Sequence, residues 1–164
     1  GEEDCKPCTN AQTYYCPEGT ATPSAVDEGF YAIPLGGPYT DQDICPAGSH
    51  CTDGRKFDCE KGTFSSQGSV QCKICPAGFH QPDTAQHVCQ RCNSGYYCSG
   101  GNKVECSVST QYCPEGTAAP HVVKEGFYAI PSGGPYTAEQ PCPAGTYCSG
   151  GNKGECIVST QYCP

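Results

Sequence analysis

The hydrophobic and polar positions along this chain follow neither of the periods that mark long regular elements. No stretch of ten residues repeats its apolar side chains at helical spacing, so no helix of ordinary length is predicted. The apolar positions instead come in short runs. Residues 29–33 read GFYAI, and 126–130 read the same. Aromatic and β-branched side chains suit a pleated strand, and Pro34 and Pro131 end each run. The GGPYT that follows, at 36–40 and 133–137, is a turn signal. TYYC at 13–16 and TQYC at 110–113 are predicted as strands of small hairpins.

Composition explains why the runs are short. Leu35 is the one leucine, and Leu, Ile, Val and Phe together make 19 of 164 residues, well under the level at which a chain buries a core unaided. Gly contributes 21 residues and Pro 15, which favours turns over long elements. Fixing each backbone residue costs roughly 1–2 kcal/mol, so cross-links must supply what burial does not. Seventeen cysteines are available for this. Each disulfide contributes roughly 2–4 kcal/mol. That density implies an oxidising, extracellular or cell-surface setting. The predicted fold class is therefore small disulfide-rich repeats: elongated, mostly loops and turns with short β-hairpins, and almost no helix.

Comparing the chain with itself sharpens the organisation. Residues 16–51 and 113–148 align without a gap at an offset of 97, with 25 of 36 positions identical. Residues 97–114 and 147–164 differ only at Val104/Gly154 and Ser107/Ile157. Between the loop copies lie two stretches of 12 or 13 residues, each running from a cysteine through a glycine and an aromatic to a closing Cys-x-x-Cys. The expected layout is a truncated cysteine-rich unit at 1–16, a loop module at 17–51, and cysteine-rich units at 52–98. A staple unit follows at 99–113, then the second loop module at 114–148 and a second staple unit at 149–164. Both ends read as cut through a motif, so a longer array is expected.

The CPAG-x-x-C strings and the Cys-x-x-Cys rhythm resemble the ephrin-receptor-like cysteine-rich repeat, a relative of growth-factor and tumour-necrosis-factor receptor modules. CPAGTYC at 142–148 is also similar to repeats of protist and algal surface proteins, including those of flagellar hairs (mastigonemes). The resemblance covers 45–113 and 142–163 and leaves out the loops at 17–44 and 114–141. It implies interlaced disulfides: Cys92–Cys106 with Cys98–Cys113, and Cys142–Cys156 with Cys148–Cys163. The same interlacing would give Cys45–Cys59 and Cys51–Cys72, against which Cys59–Cys72 with Cys45–Cys51 competes. Cys75–Cys89 would be a simple loop closure and Cys5–Cys16 the remnant of a foursome. The odd count then leaves Cys8 unpaired or with a partner outside the segment.

No enzyme is expected. The Cys-x-x-Cys pairs at 5–8, 72–75 and 89–92 lack the converging ligands of a zinc site and the βαβ setting of a redox motif. His50 and His80 fill aromatic slots taken elsewhere by Tyr147 and Tyr97, which suggests packing or surface roles. G-x-S-x-G does not occur, and Asp41, Asp43, Asp53 and Asp58 match no EF-hand loop. No metal or cofactor is expected. A net charge of −8 opposes nucleic acid and anionic membranes as partners, and no apolar run approaches the ~20 residues of a membrane-spanning helix. There is no N-x-[ST] sequon, whereas O-linked glycans remain open. The candidate interface residues are the recurring loop aromatics: Tyr14, Tyr15, Phe30, Tyr31, Tyr39, Tyr112, Phe127, Tyr128 and Tyr136. They would form either a mini-core inside each loop or a surface for self-association into a fibre. The functional expectation is a structural segment of an extracellular filament or appendage, with a receptor or adhesin stalk as the alternative.

Overall fold

The computed structural model describes residues 12–156. They fall into two compact units, one built from 12–74 and 81–89, the other from 75–80 and 90–156. Among the described residues there is no helix. Within these residues eighteen short strands pair two by two into nine antiparallel hairpins, each made of consecutive strands. The fold is thus a set of small disulfide-rich repeats.

In the first unit β1 (Tyr14–Tyr15) pairs with β2 (Ser24–Ala25), and β3 (Phe30–Ile33) with β4 (Asp41–Ile44). There β5 (Ser49–Thr52) pairs with β6 (Arg55–Asp58), and β7 (Thr63–Phe64) with β8 (Lys73–Ile74). The second unit holds β9 (Phe79–His80) with β10 (Gln90–Arg91) and β11 (Tyr96–Ser99) with β12 (Asn102–Glu105). It continues with β13 (Gln111–Tyr112) and β14 (His121–Val122), then β15 (Phe127–Ile130) and β16 (Ala138–Pro141). Its last hairpin is β17 (Thr146–Ser149) with β18 (Asn152–Glu155).

One local device generates this pattern. Nine times the chain reads Cys or Val, two residues, Gly, then a hydroxyl or aromatic residue, as in Cys45-Pro-Ala-Gly48-Ser49 and Cys92-Asn-Ser-Gly95-Tyr96. In each, the residue after the glycine donates its N–H to the carbonyl three positions back, Ser49 to Pro46 and Tyr96 to Asn93 among them. The glycine has φ between 74° and 88°. This is a type II turn, whose third position needs a positive φ. Seven of the nine lead straight into the first strand of a hairpin. The return strand is then tied to the same glycine: Cys59 donates to the Gly48 carbonyl at 2.9 Å, and Cys106 to that of Gly95 at 2.9 Å.

A lone two-stranded ribbon is marginal in water, so burial must come from between the hairpins. What fills that space is sulfur. Cys45, Cys51, Cys92, Cys98 and Cys113 are fully buried, joined by small Ala32 and Ala129 and by Tyr39. Successive turns also lie backbone to backbone. Gly48 donates to Ser65 at 3.0 Å, and a Cβ on Gly48 would run into the Ala85 carbonyl. Few methylenes are needed when carbonyls pack against bare Cα atoms.

The interlaced pairing is corrected by this geometry. The bonds are Cys45–Cys51 and Cys59–Cys72 in the first unit, and Cys92–Cys98, Cys106–Cys113 and Cys142–Cys148 in the second. Cys45–Cys59, Cys51–Cys72, Cys92–Cys106, Cys98–Cys113, Cys142–Cys156 and Cys148–Cys163 do not form. The reason is the type II turn. It folds Cys-x5-Cys back on itself and brings the Cα atoms of Cys45 and Cys51 within 5.7 Å, inside the range a disulfide spans. Closing the shorter loop costs only about 0.7 kcal/mol less than closing a fourteen-residue one, so turn geometry decides the choice. Cys16, Cys75, Cys89 and Cys156 are also disulfide-bonded. Cys5, Cys8 and Cys163 lie outside the described residues.

Candidate functional site

The most chemically varied surface lies on the β5–β6 hairpin. Its register places His50 opposite Phe57, and the two rings stack with centroids 5.4 Å apart. They line a groove of about 710 Å³, shared with Lys56, Glu60 and the half-buried Cys72. A disulfide sulfur carries no hydrogen, so the 3.3 Å contact between His50 Nδ1 and Cys72 Sγ has the imidazole donating. Asp58 also borders the groove, where it accepts the Ser49 hydroxyl at 2.9 Å.

His50, Cys59 and Cys72 place one donor atom each within 4.8 Å of one another, the separation of a metal site. Both sulfurs are joined in the Cys59–Cys72 disulfide, and a metal takes the thiolate. In this oxidised form the cluster has one good ligand, the imidazole. The groove presents a stacked aromatic face, an ammonium and carboxylates, which is the equipment for recognition.

A second, smaller groove occurs in both units. In the first it runs along Thr13, residues 25–28 and residues 51–54, with a volume of about 390 Å³. In the second it runs along Thr110, residues 122–127 and residues 148–151, with about 330 Å³. At an offset of 97, nine lining positions of one groove correspond to nine of the other. Shape recurs while charge does not: Asp27, Glu28 and Asp53 become Lys124, Glu125 and Gly150.

The aromatic residues proposed as an interface divide by depth. Tyr39 is buried, at 6% exposure, and its carbonyl accepts from Cys16, as the Tyr136 carbonyl does from Cys113. Tyr15, Phe30, Tyr31, Tyr112, Phe127, Tyr128 and Tyr136 are half-buried, and Tyr14 is exposed. The Tyr31 hydroxyl reaches Asp43, and Tyr128 donates to Gln140 at 2.8 Å. Burial, then the charge of Asp43 and its hydrogen bond, push the Tyr31 phenol above its ordinary range. Lys56 lies over the Tyr31 ring at 5.9 Å, and Lys153, 97 residues on, over Tyr128 at 5.1 Å. These rings belong to the packing of each loop while leaving an edge in solvent.

His80 is placed differently from His50. It is 6% exposed on β9, and its Nε2 has no hydrogen-bond partner. Burial first, and the nearby Lys103 second, hold its pKa below the ordinary imidazole value. The sequence shows an aromatic slot at both histidines. Depth and partner follow only from the hairpin register, and the groove around Phe57 was not legible for the same reason.

No known protein-family model matches the chain. Among known proteins it is similar to the "Sushi, von Willebrand factor type A, EGF and pentraxin domain-containing protein 1" of Rattus norvegicus, 28% identical over 114 residues. The match covers 62% of this chain and 3% of the length of that protein. Together with buried disulfides in place of an apolar core, this makes the chain a cysteine-rich domain of the extracellular type.

Proposed function

We propose that the chain is a structural repeat segment of an extracellular filament or appendage, of the matrix-fibre or flagellar-hair kind, which self-associates through its repeated loops. The observation that carries this reading is the recurrence, 97 residues apart, of one loop hairpin with its groove and its lysine-capped tyrosine. A patch displayed at a fixed interval along a chain supports contacts that propagate instead of closing. The net charge of −8 opposes such contacts at low salt. Sedimentation velocity of the non-reduced protein should therefore show larger species as protein concentration and salt rise. A monomer at every concentration and salt would remove self-association.

A second reading, a stalk or ligand-contacting region of a surface receptor or adhesin, is favoured by the groove at His50 and Phe57. Its cross-strand pair varies between hairpins: Tyr97 faces Val104, and Tyr147 faces Gly154. Surfaces used for assembly gain from sameness, whereas a ligand contact gains from difference. A strictly monomeric result in the same experiment favours this second reading.

A further inference from the structure

We propose that the Cys59–Cys72 disulfide is a thiol-exchange site, served by His50 and entered through the 710 Å³ groove. Three observations carry the proposal, none of which depends on whether the protein assembles. The first is access. In Cys45–Cys51, Cys92–Cys98 and Cys106–Cys113 every cysteine is at most 2% exposed, so an incoming thiol has no route to sulfur. In Cys59–Cys72 the two ends differ: Cys59 is 1% exposed, while Cys72 is half-buried and lines the groove. The second is a proton donor. His50 Nδ1 lies 3.3 Å from Cys72 Sγ, and its ring nitrogen and both sulfurs fall within 4.8 Å. The third is a local cation: the Lys56 ammonium lines the same groove, among the carboxylates of Asp58 and Glu60, and offers an arriving thiolate a counter-charge.

Half-burial alone does not single out Cys72, since Cys16, Cys89 and Cys156 are disulfide-bonded and half-buried too, and the Cys142–Cys148 bond sharpens the point. Cys142 and Cys148 are both half-buried, yet the nearby position corresponding to His50 is Tyr147, and Cys142 Sγ meets the Thr146 hydroxyl and carbonyl. Exposure without an imidazole is thus available as an internal control.

The chemistry balances as a thiol–disulfide exchange. A thiol, having released its proton to solvent, attacks as thiolate at Cys72 Sγ, the exposed sulfur. The Cys59–Cys72 bond breaks and its electron pair leaves on Cys59. Protonated His50 gives its proton to that thiolate and recovers one from solvent. The product is a mixed disulfide on Cys72 and a free thiol at Cys59. A second thiolate attacks the incoming sulfur of the mixed disulfide, releases Cys72, and departs as the oxidised donor, so two electrons pass from two thiols to the protein. The substrate class is a small thiol or a protein dithiol. Opening this bond removes the tie across β7–β8, a hairpin of only two residue pairs.

The test uses the non-reduced chain with glutathione, quenched by alkylation and mapped by peptide mass. Cys59 and Cys72 should be alkylated well before Cys142 and Cys148, with the glutathione adduct on Cys72. His50→Tyr, which installs the residue found in the sister hairpins, should slow this opening about tenfold and erase its lead. Cys45–Cys51 must stay closed in the variant, which reports that the hairpin has folded. If it opens, His50→Gln serves instead. Replacing glutathione by thioredoxin separates the sources: faster opening assigns a protein dithiol, faster opening by glutathione a small thiol. Equal rates at Cys59–Cys72 and Cys142–Cys148, an adduct on Cys59, or a lead that survives loss of the imidazole would each overturn the proposal.

Discussion

The two loop hairpins, 97 residues apart, hold the same backbone with different chemistry, and the differences come in matched pairs. In the first, Asp27 donates its N–H to Gln42 at 2.8 Å, and the Gln42 amide donates back to the Asp27 carboxylate at 2.5 Å. In the second, Lys124 stands for Asp27 and Glu139 for Gln42. The Lys124 N–H donates to Glu139 at 2.9 Å, and the Lys124 ammonium pairs with the same carboxylate at 2.9 Å. The backbone half of the contact is unchanged, while the side-chain half has reversed donor and acceptor. The hairpins that follow trade bulk in the same way. His50 stacks on Phe57, whereas Tyr147 lies across Gly154, where a Cβ would collide with its ring. What is fixed is the register and the turn. Side chains are free to change as long as each cross-strand or turn-to-strand pair still fits.

The largest expected difference between the copies is at the turn glycines that precede the two loop hairpins. Gly29 has φ +78°, and a Cβ there would strike the Gly68 carbonyl. Gly126 has φ +79° and open space. Alanine at a left-handed position costs about 1–2 kcal/mol, and forcing an atom into packed backbone adds about 1–3. Gly29→Ala should therefore destabilise its hairpin by roughly 2–5 kcal/mol and Gly126→Ala by roughly 1–2. Hydrogen exchange reads each locally, at the Cys45 amide bonded to Gly29 and the Cys142 amide bonded to Gly126. Equal acceleration at both sites would show that turn stacking contributes nothing beyond φ.

The histidines supply the next contrast. His80 is buried with its pKa held down, chiefly by burial, so folding favours its neutral form. The charged group that acts on it is Lys103 on β12, and its cross-strand neighbour on β10 is the uncharged Gln90. For a base whose folded pKa is depressed, the folded state binds fewer protons. The associated stability is present above the ordinary value of 6.5, declines as pH falls through it, and is lost below the folded pKa. The second unit should therefore loosen on mild acidification. His80→Phe should flatten that dependence, as followed by near-ultraviolet circular dichroism from pH 8 to 5. An unchanged profile in the variant would place the acid sensitivity elsewhere.

These contrasts also show what the chain discloses before folding. GFYAI followed by proline was enough to locate β3 and β15, because an aromatic, β-branched run ended by proline has few other conformations. The scarcity of leucine and the abundance of cysteine were enough to replace the apolar core by sulfur. Pairing was not readable, since it turns on where a glycine-centred turn sends the next three residues, and resemblance to interlaced modules pointed the wrong way at Cys45, Cys92 and Cys142. The groove was hidden for a related reason. His50 and Phe57 are seven positions apart and meet only once the β5–β6 register is known. Nor could depth be read from residue type, since Tyr39 is buried and Tyr14 exposed although both lie in aromatic loop segments.

The smallest expected effect belongs to the reversed contact at the start of each loop. The backbone N–H and then the ammonium of Lys124 hold the Glu139 carboxyl below its ordinary 4.5, and the hydrogen bond from Lys124 chiefly raises that lysine above 10.5. A depressed carboxyl contributes stability that is present above pH 4.5 and lost as pH falls through the folded value. A raised lysine contributes stability that is present below 10.5 and lost as pH rises through its own folded value. The contact is thus favoured between those limits and weakens outside them. In the first loop the corresponding acceptor is Gln42, an amide that does not titrate, so protonation of that residue can produce no such step. Hydrogen exchange at the Lys124 and Asp27 amides should accordingly diverge below pH 4.5, with Lys124 becoming the less protected. Glu139→Gln, which gives the second loop the acceptor of the first, should abolish the divergence and make the contact less sensitive to salt, because screening acts on the charge pair and spares the backbone hydrogen bond. A divergence that persisted in Glu139→Gln would mean that the two loops differ in more than this one exchanged pair.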